Sequence, residues 1–329
     1  MSEESTKFEK LDKLLKKSIC NASSLIEKDC EPISISPKWD DLCGGLLPGT
    51  LSIFAGKYKT GKTSLCLHIA KKLQGAGYKI YFCNAEHRLS KRDLKQNGLD
   101  LSEEKFQIIQ SSDDAILYGE DFIAIADHKL NTEKNVAVLI DSFSQLSSKD
   151  LVDADIRDRY RDSIPLLLAR FCRKMGNSGV LKVNNNIILG ITHEIADQNP
   201  YTRTTKMEAS GNKIQYACDY KFRIITSQPY EEPGGIHGLK INLECVTSPI
   251  SIPKRQAELV YIFNEGIDEV GELLDLAIET GIVDKRGNWH YFSENDKYHG
   301  RGATLEHMRS WSPKQTLALQ KQVRERLEG

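Results

Sequence analysis

The sequence predicts an α/β fold with a mostly parallel central sheet, an N-terminal helix and a small α+β domain at the C-terminal end. Three observations carry this. A glycine loop, Gly56-Lys57-Tyr58-Lys59-Thr60-Gly61-Lys62-Thr63, fits G-x-x-x-x-G-K-[ST] in full, between a strand-like run at 50–55 and a helix-like run at 64–73. Unbroken apolar runs of strand length recur at 136–140 and 187–191, as in strands covered on both faces. After Gly266 the pattern changes to helix, small hairpin and closing helix.

Composition narrows the class. Hydrophobic residues make up 40% and charged residues 28%, as in a soluble globular protein. No run approaches a membrane span, and the polar start, Met1-Ser2-Glu3-Glu4-Ser5, predicts no secretory signal. The eight cysteines (20, 30, 43, 66, 83, 172, 218 and 245) form no C-x-x-C pair. They are expected as reduced core thiols of an intracellular protein. With a net charge of −1, nucleic-acid binding would have to come from local basic patches.

In chain order, residues 6–19 place apolar side chains at 8, 11, 14, 15 and 19 among lysines, which predicts an amphipathic helix. It can pack on its own core, on a neighbouring subunit or on an acidic surface. Residues 20–49 read as turn-rich, with 43–49 a tight entry to the first strand. In the glycine loop, backbone N–H groups and the following helix N-terminus can cradle phosphates. Lys62 would reach the β- and γ-phosphates and the Thr63 hydroxyl would bind Mg²⁺. Ala76-Gly77 ends that helix.

A second strand, 79–87, brings Glu86 to its carboxyl end, where open α/β sheets bind ligands. Position alone leaves Glu86 as either a water-activating base or a solvated strand-end acid. A helix at 90–97, a strand at 106–110 and a helix at 119–131 follow. The run 136–142 ends in Asp141, the pattern of a buried strand delivering a carboxylate to Mg²⁺ beside Thr63. Residues 147–161 are heavily charged and hold Arg157, Arg159 and Arg161 among aspartates. They read equally as a solvated loop or helix start, or as a phosphate-contacting loop.

Beyond a helix at 164–175, a strand at 186–193 ends in His193, a γ-phosphate sensor or a hydrogen-bonded strand-end histidine. Residues 194–210, with Tyr201, Arg203 and Lys206, read as a long functional or disordered loop. Strands are expected at 219–228, 239–247 and 254–263, with 229–238 a hairpin loop. In the last module Lys285, Arg286, Lys297, Arg301 and Arg309 interleave with Trp289, Tyr291, Phe292 and Tyr298. That mixture suits nucleic-acid contact, although half of the aromatics are expected to be core.

With these motifs in place the chain resembles the RecA family of recombinases, bacterial and bacteriophage. The likeness rests on the phosphate loop, Ala85-Glu86-His87, Leu139-Ile140-Asp141-Ser142, Ser210-Gly211-Asn212, Gln256-Ala257-Glu258, Gly266-Ile267 and Gly271-Glu272-Leu273-Leu274-Asp275-Leu276. Gly287-Asn288-Trp289 and Gly300-Arg301-Gly302 extend it to the end module. The resemblance implies a RecA-like P-loop ATPase core at 33–265, a subunit-docking N-terminal element at 1–32 and a C-terminal domain at 266–329. It implies a head-to-tail homo-oligomeric filament on single-stranded DNA, pairing with homologous duplex DNA, and ATP with Mg²⁺ held between subunits. Mediator or single-strand-binding proteins would be further partners. The setting would be the cytoplasm of a bacterial cell, with a bacteriophage as candidate source, and no membrane.

Carried onto this chain, the resemblance makes Glu86, Lys62 and His193 the catalytic set. Gly56, Lys57, Tyr58, Lys59, Thr60, Gly61, Lys62, Thr63, Ser64 and Asp141 would bind nucleotide. Thr63 and, through water, Asp141 would hold the metal. DNA would meet loops at about 153–161 and 194–211 through Arg157, Arg159, Arg161, Arg203, Lys206, Gly211 and Asn212. Tyr216 matches an interface aromatic. Several features depart from the family. Asp93 stands where a tyrosine stacks on adenine. Thr247 and Pro249 replace a basic pair that reaches the neighbouring subunit's phosphate, with Lys254 or Arg255 as shifted substitutes. The second loop is polar and poor in the family's glycines, and the long acidic tail of the bacterial family is absent after Glu328-Gly329. The alternative is a paralogue that binds nucleotide and DNA or partner proteins as a filament or ring, with weak ATPase activity and no strand exchange.

Overall fold

The computed structural model describes residues 30–155, 157, 162–196, 206–208, 214–232 and 236–328. The helix expected at 6–19 lies outside them.

The apolar runs become the centre of one sheet. Its strands are β1 (Leu51–Gly56), β2 (Lys79–Asn84), β3 (Phe106–Ile109), β4 (Val136–Asp141), β5 (Ile187–Ala196), β6 (Lys206–Glu208), β7 (Tyr220–Glu232), β8 (Ile236–Thr247), β9 (Arg255–Ile262) and β10 (Gly266–Ile267). The order across the ten-stranded sheet is β10-β9-β8-β7-β1-β5-β4-β2-β3, with β6 beside β5. From β3 to β7 neighbours run parallel; β8, β9 and β10 continue antiparallel. All six residues of β1 and of β4 are buried, which explains their unbroken apolar sequence.

Alternate residues of each central strand serve opposite faces. Phe54 packs with Trp39, Leu65, Ile69 and Phe222 on one side. Ile53 packs with Phe122, Phe143 and Phe171 on the other. The helix Lys62–Gly75 covers the first face, and the helices Gly119–Thr132 and Ile164–Ser178 cover the second. Ring centroids of Trp39 and Phe222 lie 4.6 Å apart and those of Phe54 and Phe222 5.0 Å apart. Such pairs add about 0.5–1.5 kcal/mol each beyond their buried area.

The structure corrects several expectations. The turn-rich stretch before β1 contains a helix, Pro37–Cys43, capped by Ser36 and begun by proline, a local signal sufficient to start a helix. The strand expected at 79–87 stops at Asn84, because the N–H groups of Ala85 and Glu86 turn to the Asp141 carbonyl. In the charged stretch, of whose two readings one allowed a helix start, a short helix forms at Lys149–Asp153.

The loop expected at 194–210 is in part a hairpin, since β5 runs to Ala196 and pairs with β6. A two-stranded ladder needs only backbone partners, so apolar alternation did not reveal it. Likewise β7 and β8 extend well into the loop expected at 229–238. Gly238 is a strand glycine there, since a Cβ would lie 2.3 Å from the Tyr261 carbonyl oxygen on β9.

The C-terminal α+β domain has its own core. Leu273, Leu274, Leu276 and Ala277 of the helix Glu269–Glu279 meet Val283, Leu305, Met308, Leu319 and Val323. Around them lie a three-stranded sheet, β11 (Asp284–Arg286), β12 (Trp289–Tyr291) and β13 (Lys297–His299), and the helices Arg301–Arg309 and Pro313–Glu328. The third strand and the helix Arg301–Arg309 were not expected. Arg301 bonds Asp275, and Arg309 lies 3.5 Å from Asp268, so both brace this domain. Phe292 packs on its core, and Trp289 stays 40% exposed.

Candidate nucleotide site

Strand register assembles the site. Gly56 pairs with His193 across β1 and β5, and Asn84 pairs with Asp141 across β2 and β4. Parallel strands ending together bring the phosphate loop, Glu86, Asp141 and His193 to one edge of the sheet. There they line a cleft of about 530 Å³, with Tyr58, Arg88 and Phe263. That volume suits a nucleotide-sized ligand.

Each side chain has a local cause. Gly61 takes φ 91° as it turns the loop into the helix Lys62–Gly75, a conformation glycine adopts without strain. The Lys62 ammonium folds back to donate to the carbonyls of Gly56 (3.0 Å) and Lys57 (2.6 Å). Burial lowers its pKa, while Asp141 and Glu86 oppose that shift. Thr63 Oγ1 donates to Asp141 Oδ2 at 2.7 Å. Burial pushes the Asp141 carboxyl up to about 6, against the Thr63 hydrogen bond and with help from the Glu86 charge.

Glu86 accepts from Ser142 Oγ at 2.9 Å and lies 3.7 Å from His193 Nε2. The His193 backbone N–H donates to Ser144 Oγ at 2.9 Å. Burial, followed by the Lys62 charge, lowers the imidazole pKa, so the ring is neutral at pH 7. Ser142, Ser144, Arg88 and Phe263 escaped the sequence reading. Ser142 directly follows Asp141, and that adjacency was the one available signal.

The residues fit Mg²⁺ with a nucleotide. A hydroxyl and a carboxylate meet beside a phosphate-loop lysine. Mg²⁺ characteristically takes one or two protein oxygens with substrate phosphates and water. Among the described residues no group of three His, Cys, Asp or Glu side chains is placed to hold a metal. Asp93 is engaged locally, exchanging hydrogen bonds with Ser90 as the capping box of the helix Lys91–Gln96. Phe263, 45% exposed, offers aromatic surface to the same cleft.

Of the expected DNA contacts, Arg157 is exposed and paired with Asp155 at 2.6 Å. The Lys206 backbone lies in β6 opposite Ala196. Arg159, Arg161, Arg203, Gly211 and Asn212 lie outside the described residues. Because β5 passes from His193 straight into the hairpin with β6, one strand joins nucleotide cleft and hairpin. Arg223 meets Glu194 on that strand at 2.7 Å. Tyr216 is 90% exposed. Near Thr247, the Arg255 guanidinium is held by Asp41 at 2.8 Å. Among the described residues, no helix is long and apolar enough to cross a membrane.

A family model described as the RecA N-terminal domain matches residues 18–268. Over 295 residues the chain is 27% identical to Protein RecA of Arthrospira platensis, covering 88% of this chain and 76% of that one. With Protein RecA of Caulobacter sp. (strain K31) it shares 29% over 265 residues, 79% of this chain and 70% of the other. With that of Paracoccus denitrificans it shares 26% over 281 residues, covering 85% and 76%.

Proposed function

The chain belongs to the RecA family, and we propose that it is an ATP-dependent homologous-recombination protein. In this reading it forms head-to-tail helical filaments on single-stranded DNA, pairs that strand with duplex DNA and hydrolyses ATP in response to DNA. RecA-type ATPase and DNA-binding function comes with the family; filament formation and strand exchange are what we propose for this chain. The observation that carries them is one sheet edge holding Lys62, Thr63, Glu86, Asp141 and His193, with β5 leading from His193 into the hairpin.

The proposed chemistry follows from these positions. Lys62 exchanges the Gly56 and Lys57 carbonyls for the β- and γ-phosphates. Bound Mg²⁺ would neutralise phosphate charge, with Thr63 and Asp141 as its protein side. Ser142 holds Glu86 in place to take a proton from water. Neutral His193 senses the γ-phosphate and passes its presence along β5. Phe263 supplies the aromatic surface for the base that Asp93 cannot. We assign 1–32 to subunit docking, 33–265 to the ATPase core and 266–329 to the C-terminal domain. The protein would work in the cytoplasm, with mediator or single-strand-binding proteins as partners.

Electron microscopy with single-stranded DNA and a non-hydrolysable ATP analogue tests this reading. Extended helical filaments are expected; closed rings under the same conditions overturn it. A second reading, a nucleotide-binding filament without strand exchange, draws on Thr247 and Pro249 and on Arg255 being held by Asp41. Filaments that fail to exchange homologous strands would decide for it.

A further inference from the structure

The phosphate end of the cleft holds a cation that neither the loop motif nor the strand-end acid predicts. After β2, the N–H groups of Ala85 and Glu86 donate to the Asp141 carbonyl at 3.0 and 3.2 Å. His87 then takes φ 54°, a left-handed turn that is uncommon for a non-glycine residue. Arg88 follows this turn and meets the phosphate loop. Its Nη1 donates to the Tyr58 hydroxyl at 2.9 Å and lies 3.3 Å from Glu86 Oε2. The guanidinium carbon lies 5.3 Å from the Tyr58 ring centroid. Its field also reaches Asp141 and His193.

Charge decides what this arrangement is for. The cleft is lined by the carboxylates Glu86, Asp93 and Asp141 and by the cations Lys59, Lys62 and Arg88. A magnesium-bound triphosphate is still an anion and would enter beside those carboxylates. Lys62 would face the β- and γ-phosphates from the loop, and Arg88 stands beside Glu86, where water would attack. The Arg88 side chain is 60% exposed and that of Glu86 11%, so the arginine has room to swing while the acid stays. A guanidinium can place two donors on phosphoryl oxygens, where charge develops during transfer.

We propose that Arg88 leaves Tyr58 and Glu86 when nucleotide enters and binds the γ-phosphate, so that each subunit supplies its own arginine to the ATP it holds. The inference rests on the nucleotide-site reading above. Release from Arg88 also frees one Glu86 oxygen to accept the proton of the attacking water.

The test measures affinities of the full chain for Mg²⁺ complexes of ADP and of a non-hydrolysable ATP analogue, together with single-turnover ATP hydrolysis. Arg88→Ala should weaken the analogue about 10–100-fold and ADP by less than about twofold, the size of a lost charge-assisted contact made only to the γ-phosphate. Single-turnover hydrolysis should fall about 10³-fold, at the low end for a phosphate-directed arginine. Arg88→Lys should recover most of the binding and little of the rate, because a point charge replaces a fork. Equal losses for ADP and analogue, or no loss of either, overturn the inference. An unmodified chain that binds neither nucleotide overturns the site reading itself, and this inference with it. A chain that binds both while Arg88→Ala keeps the wild-type preference for the analogue sinks the Arg88 role alone.

Discussion

At the nucleotide cleft, Lys62 turns its ammonium onto two loop carbonyls while Asp141 and Glu86 stand close by. At the seam between the sheet and the C-terminal domain, Lys38 meets Asp275 at 2.7 Å, Lys72 meets Glu269 at 2.6 Å, and Arg301 also reaches Asp275. Both places partly withdraw charge from water. At the seam opposite charges already meet, so the charges orient one domain on the other. In the cleft the Lys62 ammonium donates to carbonyls instead of a carboxylate, and burial holds Asp141 near pKa 6. Poorly matched charge at the carboxyl end of parallel strands is poised for a charged ligand; well-matched charge elsewhere is scaffolding.

Variants can break this contrast. Lys62→Ala or Glu86→Gln should lower ATP turnover about 10³-fold or more, with or without single-stranded DNA. Undiminished steady-state turnover would sink the assignment of the cleft. The loop arginines are a third case. Replacing Arg157, Arg159 and Arg161 together by alanine should weaken single-stranded DNA binding. It should also reduce the slope of log affinity against log salt by about 2, since each phosphate contact accounts for about 0.7. An unchanged salt slope removes that loop from the DNA site.

At the seam, Asp275→Ala leaves Lys38 and Arg301 without their shared partner. It should cost about 1–2 kcal/mol in chemical denaturation, a figure reduced for the partial exposure of the pair. Turnover per folded molecule should stay unchanged; a parallel fall in turnover would erase the distinction between seam and cleft.

The last variant concerns a buried carboxyl at the seam. Glu272, buried, accepts from the Lys38 backbone N–H at 3.0 Å, and burial raises its carboxyl to about 8. The folded state then keeps a proton that the unfolded chain releases near 4.5. Its contribution to stability is therefore full below that value and is lost as pH rises through about 8. Glu272→Gln keeps the acceptor and removes the ionisation. Thermal melting should show the variant gaining on the parent as pH rises from about 4.5 to about 8. An equal pH slope in both proteins refutes the assignment.

Much of this was readable in one dimension. The phosphate loop was legible because glycine, lysine and threonine act there through backbone shape and short reach. The strands carrying Asp141 and His193 were legible because burial on both faces forces unbroken apolar runs, although β5 continues past His193 to Ala196. The pairing of 194–196 with 206–208 was not, since paired backbones need no apolar face. The interleaved arginines of the end module were only half legible: residue type showed charge, and contact showed that Arg301 and Arg309 face acids of their own domain.

By itself, then, the sequence determined the central strands, the glycine loop and the placing of Glu86, Asp141 and His193 on or just after strands, because those depend on neighbours a few residues away. Only the tertiary structure decided which ends meet. Parallel pairing places Gly56 beside His193 and Asn84 beside Asp141. The same pairing gives Glu86 the Ser142 hydroxyl and carries Arg88 to Tyr58. Those contacts join residues far apart in the chain, so local pattern carries no trace of them; hydrogen-bond register across the sheet sets them.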